Sequence, residues 1–318
     1  MHGDELTWSL PVISYLFLAG MGAGALATSA SVLLRSGPSG TYFNIARYGA
    51  FIAPIPVSIG CFLLIFELGT FHVGLWFRWI NLYRVINLSP MSIGTWLLTF
   101  FIGVSVLYAA TFLPRNAAPG DKWDLPRRLL AWVCVPLGIG VAVYTGVLLG
   151  AMPSRPFWNS PILAMLFLLS SLSTGIAGIM LAWAILHRKG DPEAEHQYRE
   201  SGYLLTATDI LLIALESLVL LLFIMYAHLT IGSVKHAISV ILAGGPLATT
   251  FWVWVVLLGL FIPAAIELFL IMPRLLYQKT FEVHRSLEVF MPVAVLIGGF
   301  MLRYVVVTAG QITYPIGL

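Results

Sequence analysis

Eight apolar stretches constrain the fold of this chain more than any other feature of its sequence. Each has about the 20 residues that an α-helix needs to cross a bilayer, and a chain in lipid must satisfy its own backbone hydrogen bonds. With 59% hydrophobic and only 10% charged residues, we predict an all-α membrane protein, a single domain of eight transmembrane helices over residues 1–318. The predicted spans are 12–34, 49–69, 91–113, 129–151, 161–186, 204–229, 249–272 and 289–309.

The distribution of Lys and Arg predicts the orientation of these spans. Twelve basic residues fall in the loops on one side of the membrane and four on the other. Because basic residues are enriched in cytoplasmic loops, we expect both termini on the extracytoplasmic side of the cytoplasmic (inner) membrane. The net charge of +3 is spread over short loops, so it predicts topology and not nucleic-acid binding. The twelve are Arg35, Arg47, Arg115, Lys122, Arg127, Arg128, Arg188, Lys189, Arg199, Arg274, Lys279 and Arg285.

The predicted outward loop 71–90 is rich in aromatic residues. Trp76, Trp79 and Tyr83 recur at helical spacing, and such side chains favour the headgroup region of a bilayer. We therefore predict a short interfacial helix in the membrane plane. This helix either is an ordinary aromatic anchor at the headgroup region or binds a ligand or partner.

Several polar residues are predicted near the outer ends of the spans. A charged side chain at the bilayer centre costs about 2.5–3.5 kcal/mol on insertion scales, so such residues usually have a partner or a function. Glu67 ends span two and Arg303 lies in the outer half of span eight, at the expected depth of Tyr15 and Tyr144. Glu67 and Arg303 either form a structural ion pair between two helices or contribute to a ligand site.

Three further acids are predicted in the cytoplasmic half of the membrane or near its centre. Asp209 and Glu216 are seven residues apart in span six and share a helix face. Glu267 in span seven is expected near the level of Asp209. Together these acids are candidates for a proton path from the cytoplasm, although Asp209 alone also fits an interfacial residue.

The protein is not expected to hold a redox cofactor or a metal. Its two cysteines, Cys61 and Cys134, lie in separate predicted spans, which does not fit a cysteine-ligated iron–sulfur cluster. Only His228 falls within a predicted span, whereas a membrane b-type haem needs two axial imidazoles. The small residues at 20–31 and 170–178 are typical of close helix packing, with ligand contact as the alternative.

Five segments in order carry a resemblance to a known family. The segments are YLFLAGMGAGAL (15–26), FELG (66–69), SPMSIGTW (89–96), YTGVLLG (144–150) with FWNSPILAMLFLLSSLSTG (157–175), and LRYVVVTAGQ (302–311). By these segments the protein resembles the NrfD/PsrC family, the quinone-interacting membrane subunits of polysulfide reductase and related complexes.

The resemblance implies the membrane subunit of a respiratory oxidoreductase complex. Such a subunit has an eight-helix core without a redox cofactor of its own, and it uses menaquinone or ubiquinone as substrate near the outer membrane face. It exchanges electrons with a docked 4Fe-4S ferredoxin-like subunit, which is usually attached to a molybdopterin catalytic subunit. Chemistry on the terminal substrate belongs to those partners, and proton translocation stays open.

The resemblance also suggests roles for individual residues. Glu67 matches the acid of the second-span motif, Tyr144 the tyrosine of the YTG motif, and Arg303 the arginine of the last span. We expect Glu67 to exchange protons with the quinone, Arg303 to tune it, and Tyr15 or His72 to hydrogen-bond a quinone oxygen.

Two short segments depart from the family pattern. Residues 70–73, Thr-Phe-His-Val, stand where many relatives have a Pro and an Arg. Pro11 and Tyr15 stand where some have an Asn and a His. The contacts to the quinone head group are therefore expected to differ.

A secondary transporter or a proton or ion channel without a redox role is the rival interpretation. Buried acids and broken helices occur in such proteins too, and Pro54, Pro56 and Pro136 are candidate helix breakers. However, the sequence shows no inverted repeat. A passive membrane anchor would not explain why polar residues of several spans are expected at the same depth.

Overall fold

A computed structural model describes residues 8–37, 40–67, 80, 83, 89–113, 122–186, 192–230, 232–278, 280–281 and 283–313. All regular structure in these residues is helical. Eight segments of this described part are long and apolar enough to cross a membrane, which confirms the predicted all-α fold. The helices are α1 Leu10–Ser36, α2 Phe43–Ile52, α3 Pro54–Glu67, α4 Pro90–Ala110, α5 Asp124–Gly150, α6 Ile162–Leu186, α7 Pro192–Leu229, α8 Ser233–Ile238, α9 Thr250–Phe261, α10 Ile262–Tyr277 and α11 Arg285–Ile312.

Two of the membrane-spanning segments consist of two helices each. The second is interrupted between α2 and α3 at Ala53, which keeps helical dihedrals (φ −53°, ψ −49°). The interruption follows from Pro54, which has no backbone N–H to donate. The seventh begins as the π-helix α9 and continues as the α-helix α10. Pro136, by contrast, lies inside an uninterrupted α5.

Helix α7 starts well before its predicted span. It has 38 residues, a length of about 57 Å, against a bilayer core of about 30 Å. Its extension is held to the end of α10, because Arg274 forms an ion pair of 2.7 Å with Glu200 and lies 4.1 Å from the Tyr203 ring centroid. Hydropathy had located only the apolar part of this helix.

Helix α1 packs against α2, α3, α5, α6 and α11 and is the centre of the bundle. Small residues make these contacts close. A Cβ at Gly24 would overlap the Ser171 carbonyl group of α6, and a Cβ at Gly138 of α5 would lie 2.7 Å from the Ala23 carbonyl oxygen. The structure therefore supports the packing interpretation of the small residues in α1.

The two ends of the described chain meet at one end of the bundle. The Trp8 backbone N–H donates to Gln311 Oε1 at 2.7 Å, and Gln311 Nε2 donates to the Trp8 carbonyl at 3.0 Å. We call this end, with Trp8 and Gln311, the terminal face. We call the opposite end, with Arg35, Arg127 and Arg274, the basic face. The charge distribution predicts that the basic face is cytoplasmic.

Candidate functional site

The first polar group, here called the tyrosine cluster, consists of Tyr15, Cys61 and Tyr144. Tyr15 is 1% exposed and packs against Gly60 of α3, where a Cβ would lie 3.4 Å from the tyrosine ring. The Tyr15 hydroxyl is within electrostatic range of Tyr144 and of the Cys61 thiol, and Tyr144 is likewise near Cys61. The structure thus brings together two of the predicted residues, near the terminal face.

A glycine of another helix makes room for Tyr144. A Cβ at Gly94 of α4 would overlap the Tyr144 hydroxyl and ring carbons. Gly94 and Tyr144 come from two of the five segments that carried the family resemblance, SPMSIGTW and YTGVLLG. The contact gives a physical reason for both segments, because any side chain at position 94 would displace the tyrosine.

Two predicted site residues lie outside this description. The backbone of α3 ends at Glu67, about 9 Å along the helix axis beyond Cys61. The Glu67 side chain and His72 are outside the described residues. So is most of the predicted interfacial helix 71–90. Their proposed contacts with a quinone stay predictions.

Arg303 belongs to a second polar group on a different face of α1. Its side chain is fully buried and donates to Ser170 Oγ at 2.8 Å and to Ser171 Oγ at 3.1 Å. The guanidinium also lies 5.8 Å from the Phe17 ring centroid and 5.3 Å from that of Phe167. Whereas Tyr15 faces α3 and α5, Arg303 lies against the face of α1 that carries Phe17.

Glu216 faces the same arginine. The carboxyl group is 4% exposed and within electrostatic range of Arg303 and Ser170. Ser170 and Glu216 line a cavity of about 10 Å³ with Gly259 and Gly298, the space of about one water molecule. The buried positive charge thus has a carboxylate neighbour other than the predicted Glu67, whose side chain is outside the described residues.

Asp209 and Glu267 form a pair of buried carboxyl groups. Asp209 is 1% exposed and Glu267 is fully buried, so Asp209 is an interior residue and not an exposed interfacial one. Asp209 accepts a hydrogen bond of 2.7 Å from Ser173 and interacts electrostatically with Glu267. The two carboxyl groups can share a hydrogen bond when one of them is protonated; apart from each other, Asp209 Oδ2 and both Glu267 oxygens have no hydrogen-bond partner among the described residues.

Helix α6 links these acids through hydroxyl groups that sequence reasoning had assigned to close packing, with ligand contact as the alternative. Ser173 contacts Asp209, and Ser170, one turn away, contacts Arg303 and faces Glu216. We call the set Asp209, Glu216, Glu267 and Arg303, with these serines, the acid chain. The available signal was the segment SSLSTG, with its hydroxyls closely spaced in an apolar span.

The described residues include no group of three His, Cys, Asp or Glu side chains arranged to hold a metal ion. The polar chemistry of the two groups is that of phenols, a thiol, hydroxyls, carboxyls and the Arg303 guanidinium. These groups can donate hydrogen bonds to a carbonyl and can exchange protons.

Comparison with known proteins identifies the family. The family described as polysulphide reductase, NrfD, matches residues 1–315. The protein belongs to this family. It is 30% identical to one of the chains of polysulfide reductase from Wolinella succinogenes, over 97% of this protein and 95% of that relative. It is 29% identical to protein NrfD of Escherichia coli, over 98% and 97% of the two proteins.

A more distant relative extends the range of NrfD-like proteins. A putative membrane subunit of dimethyl sulfoxide reductase from Halobacterium salinarum is 26% identical over 58% of this protein and 44% of that relative. In the NrfD-family protein described here, the segments that carried the resemblance contribute residues to both polar groups. They contribute Tyr15, Gly94 and Tyr144 to one, and Ser170 and Arg303 to the other.

Proposed function

We propose that this protein is the quinone-reactive membrane subunit of a respiratory oxidoreductase complex. The observation that carries the proposal is the tyrosine cluster, two buried phenols from different helices within electrostatic range of each other, in a family named for polysulphide reductase. The relatives, named as a part of one reductase and a membrane subunit of another, favour a redox complex. The same names favour a redox complex over a transporter or channel.

The reaction we propose adds two electrons and two protons to a quinone, giving a quinol, or runs in reverse. Menaquinone or ubiquinone would bind at the tyrosine cluster, where neutral phenol O–H groups suit carbonyl oxygens. Tyr15 and Tyr144 would hold the head group. Glu67, at the end of α3, and His72 would exchange protons with water at the terminal face.

The electrons would come from, or go to, a partner protein. We propose a 4Fe-4S ferredoxin-like subunit docked on the terminal face, attached to a molybdopterin subunit that handles the terminal substrate. This assignment puts the terminal face on the extracytoplasmic side, as the charge distribution predicts. The tyrosine cluster lies close to that face, which suits electron transfer over a short distance.

We propose the acid chain as the proton path, with a role for Arg303 that differs from the sequence-based expectation. Because Arg303 contacts Ser170 and Ser171, we assign it to the end of the path and not to direct quinone contact. Protons would pass between the Asp209–Glu267 pair and Glu216 along the α6 hydroxyls. Turnover would then move charge across the membrane.

The quinone site is tested with Tyr144→Phe in the purified complex. Losing one neutral hydrogen bond, worth about 0.5–1.5 kcal/mol, should lower turnover with a soluble naphthoquinol analogue several-fold at limiting quinol. Tyr226→Phe is the matched control, since Tyr226 is 41% exposed on the bundle surface. Unchanged kinetics in Tyr144→Phe would remove Tyr144 from the site.

The wider proposal is tested by what accompanies the protein. An iron–sulfur protein that co-elutes, together with quinone extractable from the complex, is the expected result. A purified protein that carries neither, yet conducts protons in vesicles by itself, would instead support the channel interpretation.

A further inference from the structure

A cavity of about 280 Å³ lies at the basic face, between the ends of α6, α7 and α11. Its walls combine apolar side chains such as Trp183 and Met291 with the polar side chains of Tyr198, Arg199 and Glu288. It is on the opposite end of the bundle from the tyrosine cluster, so the proposed quinone chemistry leaves it without a role.

The cavity reaches toward the acid chain. Leu205 and Thr206 of α7 line it, and Asp209 follows Thr206 by three residues. That is a rise of about 4.5 Å on nearly the same helix face. On α6, Met180 lines the cavity, two turns from Ser173, which donates to Asp209. Both helices therefore lead from the cavity to the buried carboxyl pair.

The carboxyl pair has fewer hydrogen-bond partners among the described side chains than its oxygens can use. Apart from each other, Asp209 Oδ2 and both oxygens of Glu267 have no partner within the described residues, so a single bond between the two carboxyl groups leaves at least one Glu267 oxygen buried and unpaired. Buried polar atoms in proteins are nearly always bonded to protein or to ordered water, and each such water needs a polar, accessible position. Water entering by the cavity meets this need.

Titratable groups surround the opening. Glu288 of α11 hydrogen-bonds the Tyr198 hydroxyl, and Glu195 lies 3.7 Å from Arg199. Two acids and a phenol thus stand between bulk water and the cavity. Carboxyl groups at an opening can take up protons from solvent and release them to water inside.

We propose that this cavity is the water-filled inlet of the acid chain, with Glu288 and Tyr198 at its opening and Thr206 at its inner end. The proposal rests on the proton path of the proposed function and names its entry. Protons from water at the basic face pass Glu288, enter the cavity, and reach Asp209 and Glu267. No electron transfer takes place along this route.

A cavity-filling variant tests the inlet. At Gly202 a Cβ would lie 3.4 Å from the Phe281 ring, an ordinary contact, so Gly202→Leu extends into the cavity without a backbone clash. The control is Gly140→Leu, where nothing lies within 4 Å of the added Cβ. Each variant complex is placed in vesicles, and naphthoquinol-analogue turnover and proton uptake at the basic face are measured together.

The expected result is loss of most proton uptake per electron in Gly202→Leu, with Gly140→Leu like wild type. Equal uptake in all three proteins would overturn the inlet. Failure of the proposed function looks different, because wild type would then show no quinol turnover at all.

Water access is measured separately, and without turnover, by thiol labelling. In a background with Cys61 and Cys134 replaced by Ala, Thr206→Cys should react with a membrane-impermeant methanethiosulfonate added at the basic face. The added Gly202→Leu change should protect it. The control Leu211→Cys, at a position 58% exposed on the bundle surface, should stay unreactive because the thiolate forms only in water.

Two outcomes of the labelling would overturn the proposal. One is a Thr206→Cys that reacts no faster than the Leu211→Cys control. The other is labelling that appears only after delipidation, with a phospholipid bound per complex, since the cavity would then hold a lipid headgroup instead of water.

Discussion

The tyrosine cluster packs against one face of α1 and Arg303 of the acid chain packs against another, and the two groups use different kinds of polar side chain. The tyrosine cluster has uncharged phenols and a thiol, which bury at low cost and can receive and release a neutral ligand. The acid chain buries formal charges, which are costly in a membrane unless they are paired. Arg303 is accordingly surrounded by serines, by aromatic rings and by Glu216. The comparison teaches that polar residues at similar depth need not form one site.

The largest expected effect concerns the charge balance of the acid chain. Arg303→Leu leaves Glu216 without its cationic neighbour and removes the guanidinium that donates to Ser170 and Ser171; a hydrogen bond to a charged group contributes about 1.5–3 kcal/mol. We expect a marked fall in the thermal unfolding temperature of the purified complex.

The double variant Arg303→Leu/Glu216→Leu is the control for that prediction. Removing both charges should restore part of the lost stability, because no unpaired carboxylate is then buried. If the double variant is less stable than Arg303→Leu alone, Arg303 and Glu216 do not compensate each other.

A medium effect is expected from overfilling the tyrosine cluster. The methyl group of Gly94→Ala overlaps the Tyr144 ring, and overpacking of this kind costs about 1–3 kcal/mol. Quinol turnover should fall with stability, since Tyr144 must move. Gly103→Ala, in the same helix with nothing within 4 Å of the added Cβ, should behave like wild type in both assays.

The smallest expected effect is a slower alkylation of Cys61 in the unmutated protein when a ligand is bound. Cys61 is partly buried in the tyrosine cluster, whereas Cys134 is fully buried. A bound naphthoquinone analogue should slow the alkylation of Cys61 by N-ethylmaleimide, followed by mass spectrometry. Cys134 should stay unmodified with or without the analogue. Alkylation of Cys61 at the same rate in both samples would argue against a quinone at the tyrosine cluster.

The depth of a residue in the membrane could be predicted from the sequence. The length of each apolar stretch and the charge of the flanking loops give the position and direction of each span. Tyr15 and Tyr144 were expected at one level, and the structure brings them together. Lateral position could not be predicted. Helix α6 is apolar around its whole circumference except for its hydroxyls, so no hydrophobic stripe indicates which face meets Asp209 or Arg303.

Other features lacked a sequence signal for a physical reason. Cys61 was judged only as a metal ligand or disulfide partner, and its proximity to two tyrosines depends on the rotation of α3. The break at Ala53 was predictable from Pro54. The π-helical start of α9 was not predicted, although Pro263, which has no backbone N–H to donate, directly follows the change at Ile262.

The central position of α1 has a consequence for biogenesis. Gly24 packs on Ser171, so α1 waits in the membrane for a partner that is encoded almost 150 residues later. At about 5–20 residues per second, this wait lasts on the order of 7–30 s. During that time the glycine-lined face of α1 is open to lipid and to quality-control proteases. Substitutions such as Gly24→Ala should therefore lower the amount of protein in the membrane through early degradation, before catalysis is ever affected.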